Sequence, residues 1–241
     1  MKETVVITGA SRGIGRALAV EFAGRGHPLV LAARSRGDVA GTVVECDLTT
    51  PEGREKLLAA SPAKIAGLVN NAGFATAGPF AEQDRMRERD VVRLNVEAVV
   101  DLCHLFLPRL QAGSFIINLA STAGFQPVPL FATYSASKAF VLSFSEALAE
   151  ELAPRGIHVM ALCPGVTESG FQKEANVALA PGYATSEEVA KYALKALDGK
   201  KRVAIHGTKN AFLIFSQRLS PRIATVKVAR KIMEPWFKER H

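Results

Sequence analysis

Tyr134 and Lys138 stand four residues apart in Tyr134-Ser135-Ala136-Ser137-Lys138. On a helix that spacing stacks both side chains on one face, one turn apart. The surroundings fit a helix. Ala139, Val141, Leu142, Phe144, Ala147, Leu148 and Leu152 continue an apolar pattern until Pro154-Arg155-Gly156 stops it. A phenol ordinarily keeps its proton to near pH 10. An ammonium close to its oxygen stabilises the phenolate. Bringing the phenol down by about two to three pH units takes about 3–4 kcal/mol, which one close cation in a partly desolvated site supplies. The pair is thus proton-transfer chemistry poised toward neutral pH. Alone it is a weak signal, because a solvated helix face gives the same spacing by chance.

The elements that must position the pair begin at the N-terminus. Thr4 to Thr8 reads as a short buried strand, and Gly9-Ala10-Ser11-Arg12-Gly13-Ile14-Gly15 follows it into a helix carrying Ile14, Leu18 and Phe22. In a strand–glycine turn–helix, glycines let backbone approach a phosphate, and the helix start supplies free N–H groups and a positive dipole. The spacing is Gly-x-x-x-Gly-x-Gly, not the Gly-x-Gly-x-x-Gly of the common dinucleotide fingerprint. The second strand, Pro28 to Ala33, ends in Arg34, with no acid before Asp38. An acid there would suit the ribose hydroxyls of NAD, whereas an arginine suits a 2′-phosphate. Arg12 and Arg34 together point to NADP(H).

Only Ser35 to Gly41 separates Arg34 from a third strand, Thr42 to Cys46. A parallel crossover usually takes a dozen or more residues, so a helix is expected to be missing and the adenine end of the site to be exposed. Asp47-Leu48-Thr49 follows, then a helix over about 51–60 and a fourth strand, Lys64 to Asn70. The turn Asn71-Ala72-Gly73 places small residues where a flat ligand can lie against them. A long helix is expected over about 87–110, with the polar Asn95 inside it. Phe115 to Ala120 is a fifth strand ending at Ser121, and Ile157 to Cys163 is a sixth, ending in Pro164-Gly165-Val166-Thr167. A helix over 186–197, capped by Thr185 or Ser186, and a short strand over 202–206 complete the pattern. Alternating strands and helices predict an α/β, Rossmann-type doubly wound parallel sheet of about seven strands, with helices on both faces. The expected organisation is one domain over 1–207, with 208–241 a basic, helical, amphipathic tail of the same domain.

Composition narrows the function classes. The 241 residues are 48% hydrophobic and 22% charged, enough for one substantial core and unlike a disordered chain. No apolar run is long enough to span a bilayer, and no secretory signal pattern is visible, so a cytoplasmic protein is expected. Cys46, Cys103 and Cys163 lie far apart in apolar runs, as buried thiols. His27, His104, His158, His206 and His241 are scattered, and no metal site is expected. The net charge of +7 gathers at the C-terminus, where eleven Lys or Arg face two acids from Lys200 onward. No nucleic-acid motif accompanies it, so no nucleic-acid partner is expected.

Thr8-Gly9-Ala10-Ser11-Arg12-Gly13-Ile14-Gly15, Asn70-Asn71-Ala72-Gly73, Ser121, Tyr134-Ser135-Ala136-Ser137-Lys138 and Pro164-Gly165 come in an order and spacing that resemble the single-domain short-chain dehydrogenases/reductases. The resemblance covers roughly residues 1–206 and includes the glycine spacing. It implies an oxidoreductase interconverting a carbonyl and an alcohol, with Asn95, Ser121, Tyr134 and Lys138 as a catalytic tetrad. Tyr134 would be the general acid/base. Ser121 would hold the developing alkoxide. Lys138 would lower the phenol and bind the nicotinamide ribose, and Asn95 would fix a water leading from Lys138 to solvent. For the cofactor it implies Gly9, Ser11, Gly13, Ile14 and Gly15 at the turn, and Arg12 and Arg34 at the 2′-phosphate. It further implies Asp47 and Leu48 at the adenine, Asn71, Ala72 and Gly73 along its length, and Pro164, Gly165, Val166 and Thr167 at the nicotinamide end. It also implies a homodimer or homotetramer formed through the helices at 87–110 and 133–153.

The resemblance implies a small-molecule carbonyl or alcohol as substrate. Phe74, Phe125, Val128, Leu130, Phe131, Phe171, Val177 and Leu179, the last three on a lid over 168–182, suggest either an apolar pocket for a lipophilic ketone or aldehyde or the packing of the lid or of a subunit contact. The tail has two readings: packing on its own domain or a neighbouring subunit, which is preferred, or weak contact with an anionic membrane surface. Two other functions fit the same fold. A non-enzymatic NADP(H) sensor would not need both Tyr134 and Lys138. An epimerase or dehydratase of the extended branch would carry a larger C-terminal substrate domain.

Overall fold

A computed structural model describes residues 2–168, 183–217 and 220–236. Strand β1 (Thr4–Thr8) is an interior strand, third from one edge, of a seven-stranded, wholly parallel sheet. Its partners are β2 (Leu29–Ala33), β3 (Thr42–Glu45), β4 (Ile65–Asn70), β5 (Phe115–Leu119), β6 (His158–Cys163) and, numbered after two short strands below, β9 (Val203–Ile205). The order is β3-β2-β1-β4-β5-β6-β9. The chain leaves β1 toward one edge and returns to β4 on the other side, so the crevice between the β1 and β4 ends is the topological switch point where ligands of such sheets bind.

Period-two alternation divides the core. Val5 and Ile7 pack with Leu18, Phe22, Val189 and Leu194, beneath α1 (Gly13–Gly24) and α6 (Ser186–Asp198). Val6 packs on the other face with Leu57, Leu102, Phe106 and Leu142, from α2 (Pro51–Ala59), α4 (Ala98–Phe106) and α5 (Ala132–Leu152). Thr185 caps α6 in a full capping box with Glu188, as its sequence predicts. No helix separates β2 from β3. The connecting loop is held by a bidentate pair, Arg16 to Asp38 at 2.7 and 2.6 Å.

Two features differ from expectation, in the long helix and in a second sheet. The long helix starts earlier, as α3 (Arg85–Val92), where Asp84 accepts a bond from the Arg87 N–H at 2.8 Å. It then widens into a π turn at Arg93–Glu97 before continuing as α4. Thr167–Glu168 (β7) pairs with Ala184–Thr185 (β8) in a small second sheet that the sequence did not signal. The tail forms two helices, α7 (Thr208–Gln217) and α8 (Arg222–Met233), which fold back on the domain. Ile214 and Ala229 are buried there, and Met233 packs near Tyr134 and Phe131. No described helix is long and apolar enough to cross a membrane.

Candidate active site

A cleft of about 640 Å³ opens over the C-terminal ends of the strands. Gly9, Ser11, Arg12, Gly13, Ile14, Arg34, Asp47, Leu48, Asn71, Ala72, Gly73, Ser121, Tyr134, Lys138, Pro164, Gly165, Val166 and Thr167 all line it. Two of the expected catalytic and cofactor residues do not. Gly15 lies behind the first turn, and Asn95 lies behind the second.

The two turns are cross-linked at the switch point. The Thr8 hydroxyl accepts from the Asn71 and Ala72 N–H groups at 2.9 and 3.0 Å, and donates to the Val69 carbonyl. Asn71 Nδ2 returns the tie by donating to the Thr8 and Gly9 carbonyls at 2.8 and 3.1 Å. Gly9 (φ 64) and Gly13 (φ 56) take left-handed backbone that only glycine adopts at little cost. A Cβ on Gly15 would fall 2.3 Å from both the Gly9 carbonyl oxygen and Asn71 Nδ2. Arg12, the N-cap residue of α1, makes no side-chain cap, which leaves the first-turn N–H groups available to an anion in the cleft.

Tyr134 rises from the first turn of α5, with Lys138 one turn later on the same face. Lys138 is 5% exposed, and its Nζ donates to the Leu119 carbonyl at 2.6 Å. Ser121, at the end of β5, hydrogen-bonds the Tyr134 hydroxyl and accepts from the Ala123 N–H at 3.1 Å. Burial pushes the Tyr134 hydroxyl up to about 12, with the Ser121 bond acting against it. Burial also brings the Lys138 ammonium down to about 8. The expected lowering of the phenol by Lys138 is therefore corrected. The ammonium is 5.8 Å from the ring centroid and turned toward a carbonyl, so desolvation dominates both groups.

Asn95 is 1% exposed, inside the π turn. Its Oδ1 accepts from the Phe74 N–H at 3.1 Å, and its Nδ2 donates to the Phe74 carbonyl and to Ser137 Oγ at 2.9 and 3.0 Å. The side chain thus clamps the Gly73–Phe74 backbone to α5. A π turn inside an otherwise α-helical run is a frequent mark of functional sites.

The apolar arm of the cleft is lined by Phe74, Leu94, Val128, Phe131, Leu213, Ile214, Ile232 and Met233. Phe125 and Leu130, expected there, do not line it: Phe125 packs toward the main core, and Leu130 has a positive φ of 68 and accepts from the Gly78 N–H. Phe171, Val177 and Leu179 lie outside the described residues. The sequence reading missed the contribution of the tail. Its available signal was the helical spacing of Asn210, Ile214 and Gln217, and of Ala229, Ile232 and Met233, all of which line the cleft.

The short chain dehydrogenase family model matches residues 3–180. The chain belongs to this family. It is 35% identical over 189 residues to a sulfoacetaldehyde reductase of Chromohalobacter salexigens, covering 71% of this chain and 75% of that one. It is 30% identical over 251 residues to estradiol 17-beta-dehydrogenase 11 of Macaca fascicularis, covering 95% and 83%. A short-chain dehydrogenase from Sphingobium yanoikuyae, solved in complex with NADPH, superposes with a TM-score of 0.78 at 32% identity, over 90% of this chain and 94% of that one. The family member described here is accordingly an oxidoreductase acting between carbonyl and alcohol with a nicotinamide nucleotide.

The glycine turn and the uncapped start of α1 fit such a nucleotide. Gly15→Ala tests that fit. Its Cβ meets the Gly9 backbone carbonyl, which cannot swing away, as well as the Asn71 side chain, and that overlap costs about 1–3 kcal/mol. A Tm lower by about 2–4 °C per kcal/mol is expected in thermal melts. Nucleotide affinity should fall at least tenfold in a fluorescence titration, and wild-type affinity in this variant would contradict the tight packing of the turn.

Proposed function

We propose that the chain is an NADP(H)-dependent reductase of lipophilic ketones or aldehydes, with Tyr134 as general acid in reduction and general base in oxidation. One observation carries the reading: Ser121, Tyr134 and Lys138 meet where a basic nucleotide arm joins an apolar arm of the same cleft. The names of the relatives, from sulfoacetaldehyde to estradiol, do not choose a substrate, and the apolar lining supports the lipophilic end of that range.

Gly9, Ser11, Gly13 and Ile14 would hold the pyrophosphate, and Asp47 and Leu48 the adenine. Asn71, Ala72 and Gly73 would lie along the nucleotide, with Pro164, Gly165, Val166 and Thr167 at the nicotinamide end. A bound nicotinamide supplies or accepts the hydride. Ser121 and Tyr134 hydroxyls bind the carbonyl oxygen, and Tyr134 donates its proton as charge develops there. A phenol that keeps its proton throughout the neutral range is ready for that role, because an alkoxide is far more basic than a phenolate. Lys138 would bind the nicotinamide ribose and supply positive charge beneath Tyr134. Asn95 holds the turn that shapes the floor.

For NADP(H), the support is Arg12 and Arg34 on the cleft rim, together with Asp38 being held by Arg16 in a bidentate pair. Arg34→Ser is expected to raise KM for NADPH about 10–100-fold, the loss of a charged hydrogen bond of about 1.5–3 kcal/mol, and to leave KM for NADH nearly unchanged. Steady-state kinetics with both nucleotides decide the matter. Equal or better use of NADH by the wild-type enzyme contradicts the assignment, and preference for hydrophilic sugars over lipophilic ketones contradicts the substrate class.

A homo-oligomer is part of the same proposal. Val92, Val100 and Phe140 are exposed on α3, α4 and α5, and Phe140 stacks on Phe144 at 5.8 Å, which suits a subunit contact on these helices.

A further inference from the structure

The two tail helices present different chemistry on their two sides. Asn210, Ile214 and Gln217 of α7, and Ala229, Ile232 and Met233 of α8, face the cleft. Away from it, Phe212 is 71% exposed, Phe215 61%, Ile223 69% and Val228 56%. Leu213 and Ile232 are exposed and also line the cleft, so they join the outer apolar surface to the inner one. Exposed Lys209, Arg222, Lys227, Arg230 and Lys231 are interspersed with these residues along the two helices. No acid occurs between residues 208 and 233, and the next one, Glu234, is paired with Arg230 at 2.8 Å.

We propose that the outer face of α7 and α8 docks the enzyme on an anionic phospholipid surface, so that the apolar arm of the cleft opens toward the bilayer. The proposal rests on the reading of the substrate as lipophilic. Amphipathic helices with bulky apolar residues amid Lys and Arg lie in the headgroup–acyl boundary, with apolar residues in the acyl region and cations among the phosphates. The charge pattern argues against a second copy as the occupant. A two-fold contact is built from the same patch twice, which would set these cations against one another. The apolar surface of α3 to α5 suits a self-contact better. The continuity through Leu213 and Ile232 supplies the functional link, a path from membrane to cleft that need not cross water.

The test is flotation of the full-length protein with vesicles of phosphatidylcholine alone and with added phosphatidylglycerol. Wild type is expected to float only with phosphatidylglycerol vesicles and to be released by high salt. Phe212→Ser/Phe215→Ser/Ile223→Ser and, separately, Lys227→Gln/Lys231→Gln are each expected to reduce the bound fraction at least tenfold. Circular dichroism and Tm of both variants should match wild type, since all five side chains are exposed. Turnover of a small water-soluble ketone without vesicles should be unchanged in both, and this arm reports on the catalytic reading independently. The proposal is overturned if wild type does not bind phosphatidylglycerol vesicles, or if both variants bind as well as wild type. It is also overturned if ultracentrifugation shows a wild-type oligomer that the triple serine variant dissociates while vesicles remain unbound.

Discussion

Tyr134→Phe is expected to lower kcat/KM for carbonyl reduction by about a factor of 10³, within the range of about 10²–10⁴ for loss of a general acid, while NADPH binding changes little. The ring should stay in place. It sits against Phe131, with centroids 6.2 Å apart, and packs near Met233 on the cluster of Ala75, Ala77 and Val128. Only the hydroxyl and its bond with Ser121 are lost, so the stability change is about 1 kcal/mol. Stopped-flow turnover and a nucleotide titration on the same preparation separate the two effects. Normal turnover would remove Tyr134 from the chemistry, and parallel loss of NADPH binding would make it a structural residue instead.

Lys138→Met is expected to abolish turnover and yet stabilise the protein near neutral pH. Burial lowers the Lys138 ammonium from 10.5 to about 8, so the folded state below pH 8 carries a desolvated charge. That difference corresponds to about 3 kcal/mol. Losing the bond to the Leu119 carbonyl offsets part of it, leaving a net gain of about 1–2 kcal/mol for the variant. Between pH 8 and 10.5 the unfolded chain binds more protons at this position than the folded one, so wild-type stability gains with rising pH there. The stability gap between variant and wild type is therefore expected to narrow across that window. Denaturant unfolding at several pH values checks it, and a variant less stable than wild type at pH 7 contradicts it. In the wild-type enzyme, reduction should also decline above about pH 8 as Lys138 loses its charge, while the Tyr134 hydroxyl, held up to about 12, keeps its proton.

The sheet was legible because its strands are short β-branched or apolar runs, and β1, β4, β5 and β6 close in Gly9, Asn71, Ser121 and Pro164, which also line the cleft. The missing helix was legible from length alone, since eight residues from Arg34 to Gly41 cannot hold a helix and two turns. The π turn at Asn95 was not legible. Neighbouring residues fit α and π geometry equally, and the widening follows from the bonds of Asn95 to Phe74 and Ser137, contacts distant in sequence. The state of Tyr134 was misread for a related reason: spacing gives proximity, but the direction of Lys138 Nζ depends on the Leu119 carbonyl. The tail was read as a basic amphipathic segment. Which of its faces closes over the cleft is a tertiary fact that periodicity alone does not fix.

Transfer of label from NADPH tests the central claim most directly. NADPH deuterated at the transferable position of the nicotinamide is incubated with the enzyme and a lipophilic ketone, and the alcohol is analysed by mass spectrometry and NMR. Deuterium on the carbinol carbon is predicted with wild type, and almost no alcohol with Tyr134→Phe. Wild type that forms no alcohol from any ketone or aldehyde in a broad panel, or forms it without the label, would contradict the account.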